Sequence, residues 1–221
     1  SGWDVPPLDI QREIWFNVFM TFPYQKLSAT LIGDLQPRAK DILSRRFGLE
    51  AEEPETLEAI GQSHGITRER VRQIENHAVT AIRKSEAYKQ EKAAFDELRH
   101  VIDELGGVVA EQELLEVLTK DEATRNHIVL LLVLGESFMR TKEDEECKTC
   151  WLIDTPLSTK LRDAMRKLYN SLSDEALVPE SDLISSFLRE LEDINEKYRN
   201  REVIKRWLSF SKTLGRNPLG E

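Results

Sequence analysis

Apolar residues recur every three to four positions along most of this 221-residue chain. Gly, Pro and capping residues break these stretches at short intervals, and a single pair of strand-like runs stands between residues 137 and 154. Together these observations predict a mainly α protein of tandem small helix-turn-helix and winged-helix domains, with a short β-hairpin wing in the middle domain. Composition agrees, since 32% of the residues are charged and only 7% aromatic, which favours small helical units over one large aromatic core. Composition shifts divide the chain into an N-terminal helical extension (1–35), a helix-turn-helix with a connecting helix (36–93), an acidic winged helix (94–155) and a C-terminal winged-helix-like unit (156–221).

The net charge is −9. A uniformly acidic surface repels nucleic acid, so the placement of the charge decides which partners are open to the chain. Residues 94–155 hold fifteen acidic against six basic side chains and so carry the whole excess. Ile66–Lys84, by contrast, holds five basic residues (Arg68, Arg70, Arg72, Arg83, Lys84) against Glu69 and Glu75. A basic element therefore sits inside an acidic protein.

Other classes are excluded quickly. The longest apolar run, Ile128–Leu134, is far short of the roughly 20 residues that span a bilayer, so no membrane partner is expected. The start, Ser1-Gly2-Trp3-Asp4, lacks the basic-then-apolar pattern of a signal peptide and reads as an added leader. Cys147 and Cys150 cannot supply a disulfide framework for this length, and a cytoplasmic, reducing location is expected.

In chain order, Ile10, Ile14, Phe16 and Val18 and then Leu27, Leu31 and Ile32 predict two short helices separated by Pro23. Pro37 suits a first helical turn, and Arg38–Phe47 presents Ile42, Leu43 and Phe47 on one side before Gly48 ends the helix. After an acidic loop containing Pro54, Thr56 stands as N-cap ahead of Leu57 and Ile60, and that helix stops at Gly65. Thr67 caps the next, which is predicted to run to about Arg83. Gly65 supplies the positive φ that lets the second helix leave steeply, and Gly61 lets the two helices approach while Ile66, Val71 and Ile74 fill the space between them. This is the steric pattern of a DNA-binding helix-turn-helix.

At 100° per residue, Val71, Ile74, Ala78 and Ile82 form one stripe of the last helix. The other face presents Glu69, Gln73 and Asn76, flanked by Arg70, Arg72 and His77. Such side chains read base edges or hold phosphates: Arg pairs with guanine, Gln and Asn with adenine, Glu with cytosine. The N-terminal end of such a helix is the part that enters the major groove. Trihelical units of this kind also dock on proteins, and a basic helix face is also compatible with simple solvation; His64 reads as an ordinary surface histidine.

The run Thr56-Leu-Glu-Ala-Ile-Gly-Gln-Ser-His-Gly-Ile-Thr-Arg-Glu-Arg-Val-Arg-Gln-Ile-Glu75, with Arg45-Arg-Phe-Gly-Leu49 upstream, resembles region 4 of sigma-70-type RNA polymerase sigma factors. The resemblance covers residues 36–84. It implies that Arg68, Glu69 and Gln73 read bases of a promoter −35-like element in double-stranded DNA. It further implies that Arg38, Arg46, Arg70 and Arg72 hold the DNA backbone or orient those readers, and that the unit docks on the flap of the polymerase β subunit. Asn76 is grouped with the base readers and His77 with the backbone contacts from their place on the helix face. The chain departs from the family pattern at Ser44, His77 and Thr80, where basic residues are usual. No aromatic-rich helix for capturing flipped bases is present, because Trp3, Trp15 and Phe16 lack a basic surround, so a complete initiation factor is not expected.

In the middle domain, Phe95–Leu105 predicts an amphipathic helix ended by Gly106-Gly107, followed by a short strand at Val108-Val109. Glu111–Leu118 forms a second helix, and Asp121 opens a third that ends at Gly135. Ser137–Lys142 and Thr149–Asp154 are predicted as two strands around a polar turn. With the Gly-Gly pair and a hairpin ending in Trp151, this order resembles the HARE-type winged helix of the RNA polymerase delta subunit. The turn Glu143-Asp-Glu-Glu146 would repel phosphate, which points these four carboxylates toward a protein partner such as a basic patch on polymerase. One CxxC supplies two of the four ligands a zinc site needs, and neither His100 nor His127 completes it; no metal and no cofactor are expected.

The last block predicts helices from Ser158, over Ser181–Leu191, and after Asn200, again a helix-turn-helix order. Arg201, Lys205, Arg206 and Lys212 offer either a phosphate-contacting face or a solvated one. Residues 215–221 read as the approach to a further wing, so a piece of a longer chain is expected. No nucleophile with a base, no spaced acid pair and no phosphate-cradling loop points to an enzyme. The expected function is sequence-specific binding of double-stranded DNA in transcription, with the winged-helix units contacting RNA polymerase or another protein. A scaffold that docks on polymerase without reading DNA, and the recognition subunit of a restriction-type system, are the alternatives.

Overall fold

A computed structural model describes residues 23–50, 53–172, 178–191 and 193–214. In chain order the helices are α1 (Tyr24–Gly33), α2 (Pro37–Phe47), α3 (Leu57–His64), α4 (Arg68–Lys84), α5 (Glu86–Gln90) and α6 (Lys92–Glu104). Strand β1 (Val108–Ala110) follows, then α7 (Glu111–Leu118) and α8 (Glu122–Leu134), β2 (Met139–Thr141) and β3 (Cys150–Leu152). The chain continues through α9 (Thr155–Ser171), α10 (Glu180–Glu190), a 3-10 turn at Glu196–Tyr198, and α11 (Arg201–Ser209). The protein is thus mainly helical with one small sheet, as its periodicity predicts. Among the described residues no helix is long and apolar enough to cross a membrane. The expected helix over Ile10–Val18 and the tail 215–221 lie outside the described residues.

Contacts group the chain into two compact units, Ser1–Asp96 with Leu115–Glu136, and Glu97–Leu114 with Ser137–Glu221. The boundaries expected at residues 36, 94 and 156 are not those of this grouping. The difference comes from α8, whose Ile128, Leu130, Leu131, Leu132 and Leu134 are all fully buried. The C-terminal half of this helix is apolar on every side and must be covered all round, and α8 packs on α1, α2 and α4 of the first unit.

In that first unit, Thr56 accepts a hydrogen bond from Ala59 N and Thr67 one from Arg70 N, so both helices of the helix-turn-helix start where a local N-cap places them. Between them Gly65 adopts φ 63°, ψ 34°, the left-handed conformation that ends α3. Ile42, Ile60 and Val71, one from each of α2, α3 and α4, form the buried core of the trihelical body, with Leu57, Ile66 and Ile74 packed against it. Gly61 is the point of closest approach. A Cβ there would stand 2.7 Å from the carbonyl oxygen of Ile66, a backbone atom that cannot swing away. Gly61→Ala is therefore expected to destabilise this unit by about 1–3 kcal/mol through overpacking. Thermal denaturation of the variant beside the parent chain checks it, and an unchanged midpoint contradicts it.

In the second unit the strands pair antiparallel in the order β1-β3-β2, with Val109 opposite Trp151 and Arg140 opposite Trp151 on its two sides. The elements follow in the expected chain order, helix, strand, helix, helix and hairpin, but α8 groups with the first unit and not with the sheet. The hairpin does not project freely: Lys148 N donates to Phe210 O at 2.9 Å and Lys212 N to Glu146 O at 2.7 Å, fastening it to the segment after α11. Behind the sheet lies a core of α9, α10 and α11 side chains in which Phe187 and Trp207 are fully buried. The Trp207 indole donates to Gly106 O at 3.2 Å, so its one polar atom is satisfied. Helix α9 begins at Thr155 rather than Ser158 because Asp154 caps it, accepting from Leu157 N.

Candidate nucleic-acid interface

The interface is built on α4. Its stripe of Val71, Ala78 and Ile82 is buried, with Ile74 half-buried beside them, and this anchors the helix against α2 and α3. The opposite face leaves Arg68, Glu69, Arg70, Arg72, Gln73, Asn76 and His77 exposed. All four expected base readers therefore share one solvent-facing surface, three of them within the first two turns.

These side chains are linked to one another. Arg72 donates to Glu69 through Nη2 at 2.7 Å and Nε at 2.9 Å. Gln73 Nε2 donates to Glu69 Oε1 at 3.5 Å, and Arg70 Nη1 donates to Gln73 Oε1 at 3.1 Å. The Arg72 hydrogen bond holds the Glu69 carboxyl below its usual range, so at neutral pH Glu69 is an acceptor only. An exposed ion pair of this kind is weak, because solvent and salt screen it. The network links these side chains while leaving each of them exposed.

The expected backbone contacts divide. Arg38 is exposed and reaches His64 O at 3.4 Å, beside the turn. Arg46 is held inside the unit, donating to Glu55 O at 3.1 Å and standing 3.7 Å from Glu75 Oε1, whose carboxyl burial pushes up. It braces α2 against α4 more than it reaches outward. His64 is tied to Asp41 at 2.8 Å. Sequence reasoning did not single out Arg45, which donates to both carboxylate oxygens of Glu55 at 2.7 and 2.9 Å and to Ser63 Oγ at 2.8 Å. That fork fixes the loop before α3 and so the register of the whole turn; a Glu ten residues from an Arg carries no periodic signal. Beside α4 opens a groove of about 660 Å³ lined in part by Leu35, Ala39, Ile74 and Ala81.

In the second unit the structure corrects the electrostatic expectation for the hairpin turn. Asp144 pairs with Arg162, Glu146 with Arg166 at 2.8 Å, and Glu143 with Lys212 at 2.6 Å, while Glu145 is exposed. Three of the four carboxylates are thus matched by basic side chains of the same unit, and the tip is not the open acidic surface that its composition suggests. The basic side chains expected after Asn200 also meet carboxylates of the same unit. Arg201 and Lys205 both meet Glu180, at 2.9 and 3.1 Å, and Arg206 meets Glu113 at 2.6 Å. Burial raises both cysteine thiols, Cys150 to about 12, which keeps them protonated.

The Arg162 hydrogen bond lowers the Asp144 carboxyl from 3.8 to about 2. A depressed carboxyl stabilises the fold at pH values above its ordinary pKa, and that contribution is lost as the pH falls through the folded value. Asp144→Asn is therefore expected to cost about 1 kcal/mol at neutral pH, the upper end for an exposed pair. The gap to the parent chain should close between about pH 4 and pH 2. Denaturant midpoints measured across that range check it, and a gap independent of pH contradicts it.

Comparison with known proteins bears on the first unit. Residues 31–84 match the family described as Sigma-70, region 4. Over 54 residues, 24% of this chain and 16% of the relative, the chain is 46% identical to the RNA polymerase principal sigma factor HrdD of Streptomyces coelicolor. It is 44% identical over 66 residues to the principal sigma factor HrdC of the same organism, covering 28% of this chain and 20% of that protein. To the RNA polymerase sigma factor SigA of Nostoc sp. it is 45% identical over 53 residues, 24% of this chain and 14% of that one. The chain thus spans a fifth or less of the length of these relatives. No solved structure matches the chain significantly. The helix-turn-helix of α2, α3 and α4, with the exposed polar side chains it carries, is the part of this chain that is similar to region 4 of the sigma-70 factors.

Proposed function

We propose that this chain binds double-stranded DNA in the context of transcription and reads sequence by placing the N-terminal half of α4 in the major groove. The observation that carries the reading is the single exposed face bearing Arg68, Glu69, Gln73 and Asn76, on a helix whose start is fixed by Thr67, within a segment similar to sigma region 4. Arg68 pairs with guanine, Glu69 accepts from a cytosine amino group, and Gln73 and Asn76 pair with adenine. Arg38, Arg70, Arg72 and His77 supply phosphate contacts at the edges, with Arg46 behind them. Association with RNA polymerase belongs to the same reading, through the region-4-like unit or through the second unit, which carries the small sheet of the expected wing.

Duplex binding followed by fluorescence anisotropy tests this. Affinity should fall steeply between about 50 and 200 mM salt, as counterion release requires. Arg70→Ala should weaken binding to all duplexes alike and reduce the salt slope by about 1. Binding that is absent, or insensitive to salt, sinks the proposal.

The mutual pairing of Arg70, Gln73, Glu69 and Arg72 favours a second reading, a scaffold that docks on polymerase without reading DNA. Copurification with polymerase that survives Arg68→Ala and Arg72→Ala, without duplex binding by the parent chain, would support it. A restriction-type recognition subunit draws on no further observation.

A further inference from the structure

His127, half-buried on α8, meets two other segments of the first unit. On one side its Nδ1 stands 2.6 Å from Ser28 Oγ of α1, a fully buried hydroxyl. On the other the ring faces the backbone of Leu49, just past the end of α2. The Leu49 N–H already donates to Ser44 O at 2.8 Å, so the ring meets the Leu49 carbonyl, which can only accept. The neutral imidazole satisfies both neighbours in one arrangement: Nε2–H donates to Leu49 O, and Nδ1 accepts the Ser28 hydroxyl proton. Uncharged, His127 thus ties α8 both to α1 and to the end of α2.

A second proton on the ring falls on Nδ1. Ser28 can then no longer donate to it and must turn its hydrogen to Gln25 O, 3.0 Å away. The new charge also lies beside fully buried Ser28 and Ile128, and burial disfavours the charged form. Two groups oppose this, the Leu49 carbonyl and the carboxylate of Asp121, which is exposed and engaged by Thr124 N at 3.0 Å. Of the helices packed on α8, α1 brings the uncharged Gln25 and Ser28 to this end, and α4 brings Arg83 only to the far end, at Val133 and Leu134. Among the described residues no other charged side chain acts on the ring, and burial, the largest effect, holds the imidazole below the usual histidine range.

We propose that His127 is a proton-operated latch, which holds the N-terminal half of α8 on α1 and on the end of α2 while neutral and lets it come away once protonated. The latch belongs to the first unit whatever that unit binds, and does not depend on the DNA-reading proposal. A released histidine titrates near about 6.5, and the latched one lower. The latch is therefore complete above about pH 6.5 and weakens as the pH falls from there through the folded value, with at most about tenfold more opening per pH unit for one proton. Asn126, the neighbouring residue, donates to Gly48 O, at the C-cap of α2, at 3.0 Å, so opening here also frees the carbonyl at the end of α2.

Amide hydrogen exchange of the full chain tests this, expressed as protection factors so that the intrinsic pH dependence of exchange drops out. It is read for the parent and for His127→Gln, whose side chain stays neutral throughout. Protection of residues 124–130 in the parent should fall by roughly two- to tenfold between about pH 7.5 and about pH 5.5, most of it below about pH 6.5, while His127→Gln stays flat. Flat protection in the parent overturns the proposal, and so does the same fall in both proteins. An equal fall across α9 of the second unit points to general acid unfolding and overturns it as well. If His127→Gln leaves α8 unprotected even at about pH 7.5, the ring signals of His127 in the parent, followed by NMR, decide instead. A titration midpoint below about 6.5 that coincides with the loss of α8 protection upholds the latch, and a midpoint at or above about 6.5 overturns it.

Discussion

Glu69→Ala is expected to lower discrimination at one base pair by roughly 5- to 150-fold, the equivalent of about 1–3 kcal/mol, while leaving affinity for random duplex unchanged or slightly higher. The two effects have opposite signs because the proposed reading gives Glu69 two jobs. Its carboxylate is the acceptor that a cytosine amino group requires, and it also binds the Arg72 guanidinium through two hydrogen bonds of 2.7 and 2.9 Å. Removing it deletes one acceptor and frees one cation for a phosphate, which should steepen the salt dependence by up to about one counterion. Gln73→Ala should relax preference similarly but without the gain in general affinity, since no cation is released. Competition binding at two salt concentrations separates these outcomes. An equal loss on specific and random duplex would mean that Glu69 acts through the fold of α4 and not through a base.

Trp207→Ala is expected to destabilise the second unit by about 3–5 kcal/mol. The side chain is fully buried, its ring lies edge-on to Tyr198 with centroids 5.9 Å apart, and its indole satisfies Gly106 O. Truncation leaves both a cavity and an unpaired carbonyl. Trp207→Phe keeps most of the ring and should cost less than half as much, the loss being chiefly that hydrogen bond, about 1–2 kcal/mol. Denaturant unfolding followed by the remaining tryptophans measures both, and similar losses for the two variants would show that packing is not the dominant contribution.

What the sequence made legible was local. Thr56 and Thr67 cap the helices they were expected to cap, Asp121 and Asn200 do the same for α8 and α11, and Gly65 takes the left-handed turn, because caps and turn glycines act on atoms three or four residues away. The exposed face of α4, with Glu69, Gln73 and Asn76 on it, followed from the 3.6-residue period. What was not legible depends on pairs distant in sequence. An apolar run such as Ile128–Leu134 announces that it is buried but not against what, so the grouping of α8 with the first unit could not be read from it. Counting charge by blocks placed Glu143, Asp144 and Glu146 on an open acidic tip, whereas Arg162, Arg166 and Lys212 reach them from 18, 20 and 69 residues away. Composition locates charge along a chain, and only the fold decides whether that charge meets solvent or its opposite.

The central claim is that the exposed face of α4 reads duplex sequence. Selection of bound sequences from a random duplex pool at physiological salt, run in parallel for the parent chain and Glu69→Ala, tests it most directly. The account predicts a defined site for the parent, with cytosine preference at one position lost in the variant. Recovery of all duplexes in equal measure by the parent chain, or the same site from both proteins, would contradict it.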